Sequence, residues 1–317
     1  MNVKDKWWLA LFAALGFGPA AVRAGETMTQ IKEATETGEE TMVNLSIRSK
    51  RWFSGLACAS VVSLLITAAA VAQESDEQAE LAKKLQNPVA PLISVPFQSN
   101  FEWGSGPKSA GFKYTLNFQP VIPIPLSEDW NLISRTIVPI IHQDDVVPGS
   151  SQTGVGDILQ SLFFAPATRG PGGVIWGAGP AFLLPTSTEN FLGTEKFGIG
   201  PTAVVLRQHS GWTYGLLTNH IVSTGGTHHT SDVNATFLQA FLSYTTKTYT
   251  TFGVSTESTY DWENSQWTVP LIANVSQLLK LGGQPIQFLL GPKLYAEGPT
   301  VAPDWGIRFT VTLLFPQ

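Results

Sequence analysis

Cysteine is all but missing from this 317-residue chain, and the single copy, Cys58, can form no intrachain disulfide and offers no thiolate set for zinc. Charge is also scarce. Only 14% of residues are charged and the formal net charge is -5, so the basic balance that a nucleic-acid partner would favour is absent. Histidine, at five copies, leaves few combinations for metal or acid–base chemistry. Tryptophan, by contrast, is abundant: Trp103, Trp130, Trp176, Trp212, Trp262, Trp267 and Trp305 all follow residue 100, several at the edges of apolar runs, where interfacial girdles sit.

Long apolar runs are confined to the beginning. Arg48, Lys50 and Arg51 precede an apolar run from Trp52 to Ala72 that closes on Ala70-Val71-Ala72, the order of a cleaved secretory signal peptide over 42–72. An uncleaved anchor of the same length is the alternative. Residues 1–41 hold a second export-like stretch, Trp7 to Val22, and are read as an over-extended gene model with translation starting at Met42, or alternatively at Met28. Residues 73–91 form a periplasmic segment in which Ser75 and Gln78 are spaced as a capping box, predicting a brief helix that Pro88 and Pro91 end.

From residue 92 to 317 the chain alternates. Trp305, Ile307, Phe309, Val311, Leu313 and Phe315 interleave with Gly306, Arg308, Thr310, Thr312 and Leu314, which gives one apolar face with aromatics at both ends. That is a strand made to face lipid. Twelve such runs are predicted, from Leu92–Glu102 to Trp305–Phe315, as an all-β antiparallel transmembrane barrel in a bacterial outer membrane. Connections after odd strands are expected outside and long, as at 143–154, 185–195 and 223–232, and those after even strands short. Two segments disturb the rule: 121–129 is long for a periplasmic turn and 261–266 short for an outer loop. In the fourth, sixth and seventh strands apolar residues occupy both faces, which means either a packed, narrow lumen or a shifted register.

Glycine and proline recur together within the strands, in Trp176-Gly177-Ala178-Gly179-Pro180, Phe197-Gly198-Ile199-Gly200-Pro201 and Leu290-Gly291-Pro292. Local kinking of neighbouring hairpins is the expectation. Polar chemistry is sparse. His142 with Asp144 and Asp145, His209 with Ser210, and His228-His229 with Asp232 all fall near turns or loops, and none is assigned a catalytic, cofactor or metal role. Lys113, Glu257, Lys293 and Arg308 instead stand on the polar sides of good strands. Facing lipid near the midplane the cations would cost up to about 2–4 kcal/mol each and the carboxylate less, so all four are placed in the lumen, either setting solute selectivity or neutralising one another in a plugged barrel.

The stretch Glu80 to Asn100, with Leu116 to Pro123, Gly154-Val155-Gly156-Asp157 and the close at Arg308 to Pro316, resembles a bacterial family labelled transporters or MetA-pathway phenol-degradation-like proteins. Some of its members carry the name neuromedin U. The resemblance implies an outer-membrane β-barrel with a part in uptake of small, often hydrophobic molecules, and supplies no catalytic residue or cofactor. Where a terminal aromatic is usual for the barrel-insertion machinery, this chain ends Phe315-Pro316-Gln317. The expected function is a channel or facilitated transporter whose partners are outer-membrane lipid, small-molecule solutes and the insertion machinery. A lipid-modifying hydrolase using an outer-rim His and Ser, and a structural or adhesive barrel, are the alternatives.

Overall fold

The structure is a computed structural model and describes residues 76–316 apart from His228 and His229. The expected gene-model extension, the signal peptide with Cys58 and the His228-His229 pair lie outside the described residues. A helix, α1 (Asp76–Leu85), precedes fifteen strands: β1 (Ile93–Ser105), β2 (Gly111–Phe118), β3 (Val121–Pro125), β4 (Trp130–Asp144), β5 (Ser151–Val155), β6 (Ile158–Pro166), β7 (Val174–Leu184), β8 (Lys196–His209), β9 (Trp212–Gly226), β10 (Asn234–Thr245), β11 (Thr250–Thr256), β12 (Ser258–Asp261), β13 (Gln266–Leu281), β14 (Gln284–Glu297) and β15 (Trp305–Phe315).

These make twelve staves of one closed antiparallel sheet. Three staves are each split in two: β2 with β3, β5 with β6, and β11 with β12, both halves pairing the same neighbour, β4, β4 and β13 respectively. Closure comes from β1 against β15, in register from Ile93 opposite Phe315 to Trp103 opposite Trp305. A closed sheet leaves no unpaired edge, the condition for crossing hydrocarbon with strands. The long connection expected at 121–129 is corrected here, because β3 carries its stave through Pro125 and leaves only 126–129 as a turn. The hairpin between Asp261 and Gln266 stays tight, fixed by Asp261 Oδ1 accepting the amides of Glu263 and Asn264.

Outward positions carry Phe97, Ile122, Ile140, Val205, Leu242, Phe252, Leu271 and Ile307, all exposed, as a wall in contact with lipid must be. Aromatics bound this wall at both ends. At the long-loop end Trp103 stacks on Trp305 at 4.6 Å and Tyr260 packs on Trp262 and Trp267. At the short-turn end Trp130 meets Trp176 edge-on and Trp212 meets Tyr244. Between the two girdles, outward polar groups satisfy each other: Gln160 Nε2 donates to Ser134 Oγ at 3.0 Å and Thr136 Oγ1 donates to Gln160 Oε1.

The Gly-Pro repeats share one geometry. The β6–β7 ladder is interrupted beside Gly179-Pro180, the β8–β9 ladder beside Gly200-Pro201, and the β13–β14 ladder beside Gly291-Pro292. At each break the glycine lies against a carbonyl of the next stave. A Cβ would stand 2.0 Å from Leu162 O at Gly179, 1.6 Å from His220 O at Gly200 and 2.0 Å from Ala273 O at Gly291. Proline has no N–H for the ladder, and a bare Cα lets the neighbouring stave close over the gap. Pro180 and Pro201 stand opposite each other across β7–β8, so two of the kinks fall at one register.

Candidate functional site

Alternation sends every second side chain inward, and on adjoining staves the inward positions gather charge. Glu102 of β1 lies opposite Lys113 of β2, and Asn100 lies opposite Arg308 of β15. Lys293 Nζ on β14 donates to Glu102 Oε1 at 2.7 Å, and the Tyr295 hydroxyl donates to the same oxygen at 2.6 Å. Lys293 also stands 4.9 Å from the Tyr295 ring centre. Arg308 Nη1 and Nη2 donate to the two oxygens of Glu257 at 2.7 Å each, while its Nε donates to Asn100 Oδ1 at 2.9 Å. The fork geometry of guanidinium and carboxylate makes this a bidentate, charge-assisted contact.

Glu102, Lys293 and Arg308 are buried, and burial of charge is tolerable here because each has its counter-ion and further hydrogen bonds. Lys113 and Arg135 differ. Both are inward-facing and half-buried, and among the described residues neither is in a salt bridge; Arg135 Nη2 donates only to Gln119 Oε1, at 3.1 Å. Lys113, Glu257, Lys293 and Arg308 all occupy inward-facing positions of the sheet, and Glu257 and Arg308 meet there. Glu102, Tyr295, Asn100 and Arg135 were missed. For Asn100 and Glu102 the signal was present in the polar parity of Gln98, Asn100 and Glu102; Arg135, between Ile133 and Ile137, shares its face with apolar residues and gave none.

The opposite wall is apolar. Ile133, Phe163, Val204, Leu206 and Leu217, all inward, form one packed cluster that Phe237 and Phe241 extend. The two-sided hydrophobicity of the fourth, sixth and seventh predicted strands is thus real: one set meets lipid and the other packs the interior.

Both mouths are narrowed by chain. At the short-turn end Leu81, Ala82, Ala90 and Leu92 pack on Tyr249, Leu278 and Leu314, while Val89 joins the apolar wall beside Phe163 and Ala165. Polar contacts hold the same segment: Gln208 Nε2 donates to Lys83 O at 2.8 Å, and Ser243 Oγ donates to Gln86 Oε1 at 3.1 Å. At the long-loop end Asp157 pins the connection between β7 and β8. Its carboxylate accepts Ser187 N, Thr194 N and Thr194 Oγ1, and Thr186 Oγ1 donates to Gly156 O. Gly154 and Gly156 make room for this loop, since a Cβ there would stand 2.1 Å from Thr188 Oγ1 and 2.9 Å from Leu192 O.

The remaining polar candidates do not assemble. His142 faces outward and shares a hydrogen bond with Thr153 Oγ1. His209 and Ser210 lie at the tight β8–β9 turn on the short-turn rim, not at the outer rim expected for a hydrolase, and Ser210 has a φ of 49°. Asp232 accepts from Lys196 Nζ at 2.9 Å. Among the described residues no group of three metal-ligating side chains occurs.

No family model matches the chain, and no curated protein matches it in sequence. Solved structures do resemble it in fold. A crystal structure of an outer membrane channel from Pseudomonas putida F1 aligns with a TM-score of 0.57 at 13% identity, covering 71% of this chain and 96% of that one. Outer membrane phospholipase A from Escherichia coli aligns with a TM-score of 0.38 at 11% identity over 76% of this chain and 98% of its own. The fold is that of a bacterial outer-membrane β-barrel.

Proposed function

We propose that the chain is an outer-membrane channel or facilitated transporter for small solutes with hydrophobic or aromatic character. One observation carries this reading: the interior of the closed barrel has charge on one wall and packed hydrocarbon on the other, and a short, polar-anchored piece of chain lies at each mouth. Such an interior suits a solute that trades water for apolar contact. The membership suggested by sequence, among the MetA-pathway phenol-degradation-like transporters, belongs to the same proposal. Two stretches that carry that resemblance hold structural duties: Glu80 to Asn100 builds the inner plug and most of the first stave, and Gly154 to Asp157 anchors the outer loop. Outer-membrane lipid surrounds the wall, and the insertion machinery reads the last stave through Phe315.

Reconstitution tests the reading. Proteoliposomes holding the full processed chain are expected to take up phenol-sized solutes faster than protein-free vesicles, and to admit disaccharides poorly. Uptake indistinguishable from that of empty vesicles would remove the transport reading.

A further inference from the structure

Resting on the channel reading, the division of charge inside the barrel narrows the class of solute. The cluster comprises Lys113, Arg135, Lys293 and Arg308 against Glu102 and Glu257, two more cations than carboxylates. Both carboxylates spend their close contacts on Lys293, Tyr295 and Arg308. Glu102 accepts both Lys293 and Tyr295, and Glu257 is chelated on both oxygens by Arg308. What the interior presents is therefore the surplus: Lys113 and Arg135, half-buried, inward-facing and in no salt bridge among the described residues, with Glu102 opposite Lys113 attracting it at longer range and Glu257 attracting Arg135. They stand at different depths. Lys113 is level with Gln143 near the long-loop end of β4, and Arg135, level with Val121, lies eight residues further along the same strand. Across from them runs the apolar wall of Phe163, Val204, Leu206, Leu217, Phe237 and Phe241.

We infer that the solute is an amphipathic monoanion, a compact aromatic or aliphatic body with one carboxylate- or sulfonate-like head. A cation would meet repulsion from the cluster's net positive charge in a low-dielectric interior, where charges interact far more strongly than in water. A neutral polar solute would leave the apolar wall unused. An anion with a hydrocarbon body satisfies both walls, its head passing from Lys113 to Arg135 while its body slides along the aromatic side.

Two permanently charged probes of similar size decide the matter: naphthalene-2-sulfonate and phenyltrimethylammonium, followed into proteoliposomes, with reversal potentials measured in planar bilayers under a KCl gradient. The sulfonate is expected to enter at least about fivefold faster than the ammonium, and the bilayer to prefer chloride over potassium. Lys113→Gln and Arg135→Gln should each lower the sulfonate-to-ammonium ratio, and Lys113→Arg should retain it. Heat-modifiable gel mobility checks that each variant has folded. A barrel that conducts ions but passes the ammonium equally well, or whose ratio neither substitution moves, overturns the solute class and leaves the channel reading standing. A protein that passes no ion and neither probe overturns both.

Discussion

Arg308 and Glu257 grip each other with two hydrogen bonds of 2.7 Å although two staves, β13 and β14, separate their strands in the sheet. The contact ties one part of the wall to another across the interior. Removing only the carboxylate leaves a buried guanidinium without its counter-ion, a loss of about 3–5 kcal/mol. Glu257→Gln is thus expected to lower the temperature at which the folded gel band disappears. The double variant Glu257→Gln/Arg308→Met should recover much of the loss, since it removes both charges at once. A double variant as unstable as the single one would contradict this account.

Gly200 is the tightest of the three kink glycines. Gly200→Ala drives a methyl group into His220 O and should cost about 1–3 kcal/mol, read as a smaller folded fraction after refolding into detergent. Gly225→Ala provides the comparison, because nothing lies within 4 Å of its Cβ position, and should be close to neutral.

Val89 anchors the inner plug in the apolar wall. Val89→Asp puts a carboxylate among Phe163, Ala165 and Ile133, and the buried charge is best relieved by withdrawal of the segment. Planar-bilayer recording is expected to show higher conductance for this variant than for the parent, with the folded gel band retained.

Asp157 plays the corresponding part at the other mouth. Asp157→Ala removes the acceptor for three donors on the 185–195 loop, so limited proteolysis of the reconstituted protein should cut within that loop sooner than in the parent. Cleavage at an unchanged rate would mean that the backbone contacts alone hold it.

The stave count was legible in the sequence because lipid demands an apolar outer face, and alternation such as that of Trp305 to Phe315 records that demand directly. The same property is the reason for assigning Lys113, Glu257, Lys293 and Arg308 to the inward side, since charge has one permitted side. Which cation meets which carboxylate was not legible. The Lys293–Glu102 pair joins residues 191 positions apart, and only barrel closure through β1 and β15 brings them together. Nor did periodicity reveal Arg135 or the plug contacts. Inside a filled barrel the inward face is apolar on β6, β8 and β9, so period two carries no contrast there. The Gly-Pro repeats announced kinks without saying that proline would interrupt the ladder on one side and glycine close it.

The inner plug has a consequence for biogenesis. Its residues Leu81 to Leu92 come early in the chain, yet Leu278 and Leu314, on which they rest, belong to strands near its end. Docking must therefore wait until the final hairpin is made and the seam has zipped shut. Until then the greasy segment has nothing to rest on, and its seating marks the moment at which maturation of the vessel is complete.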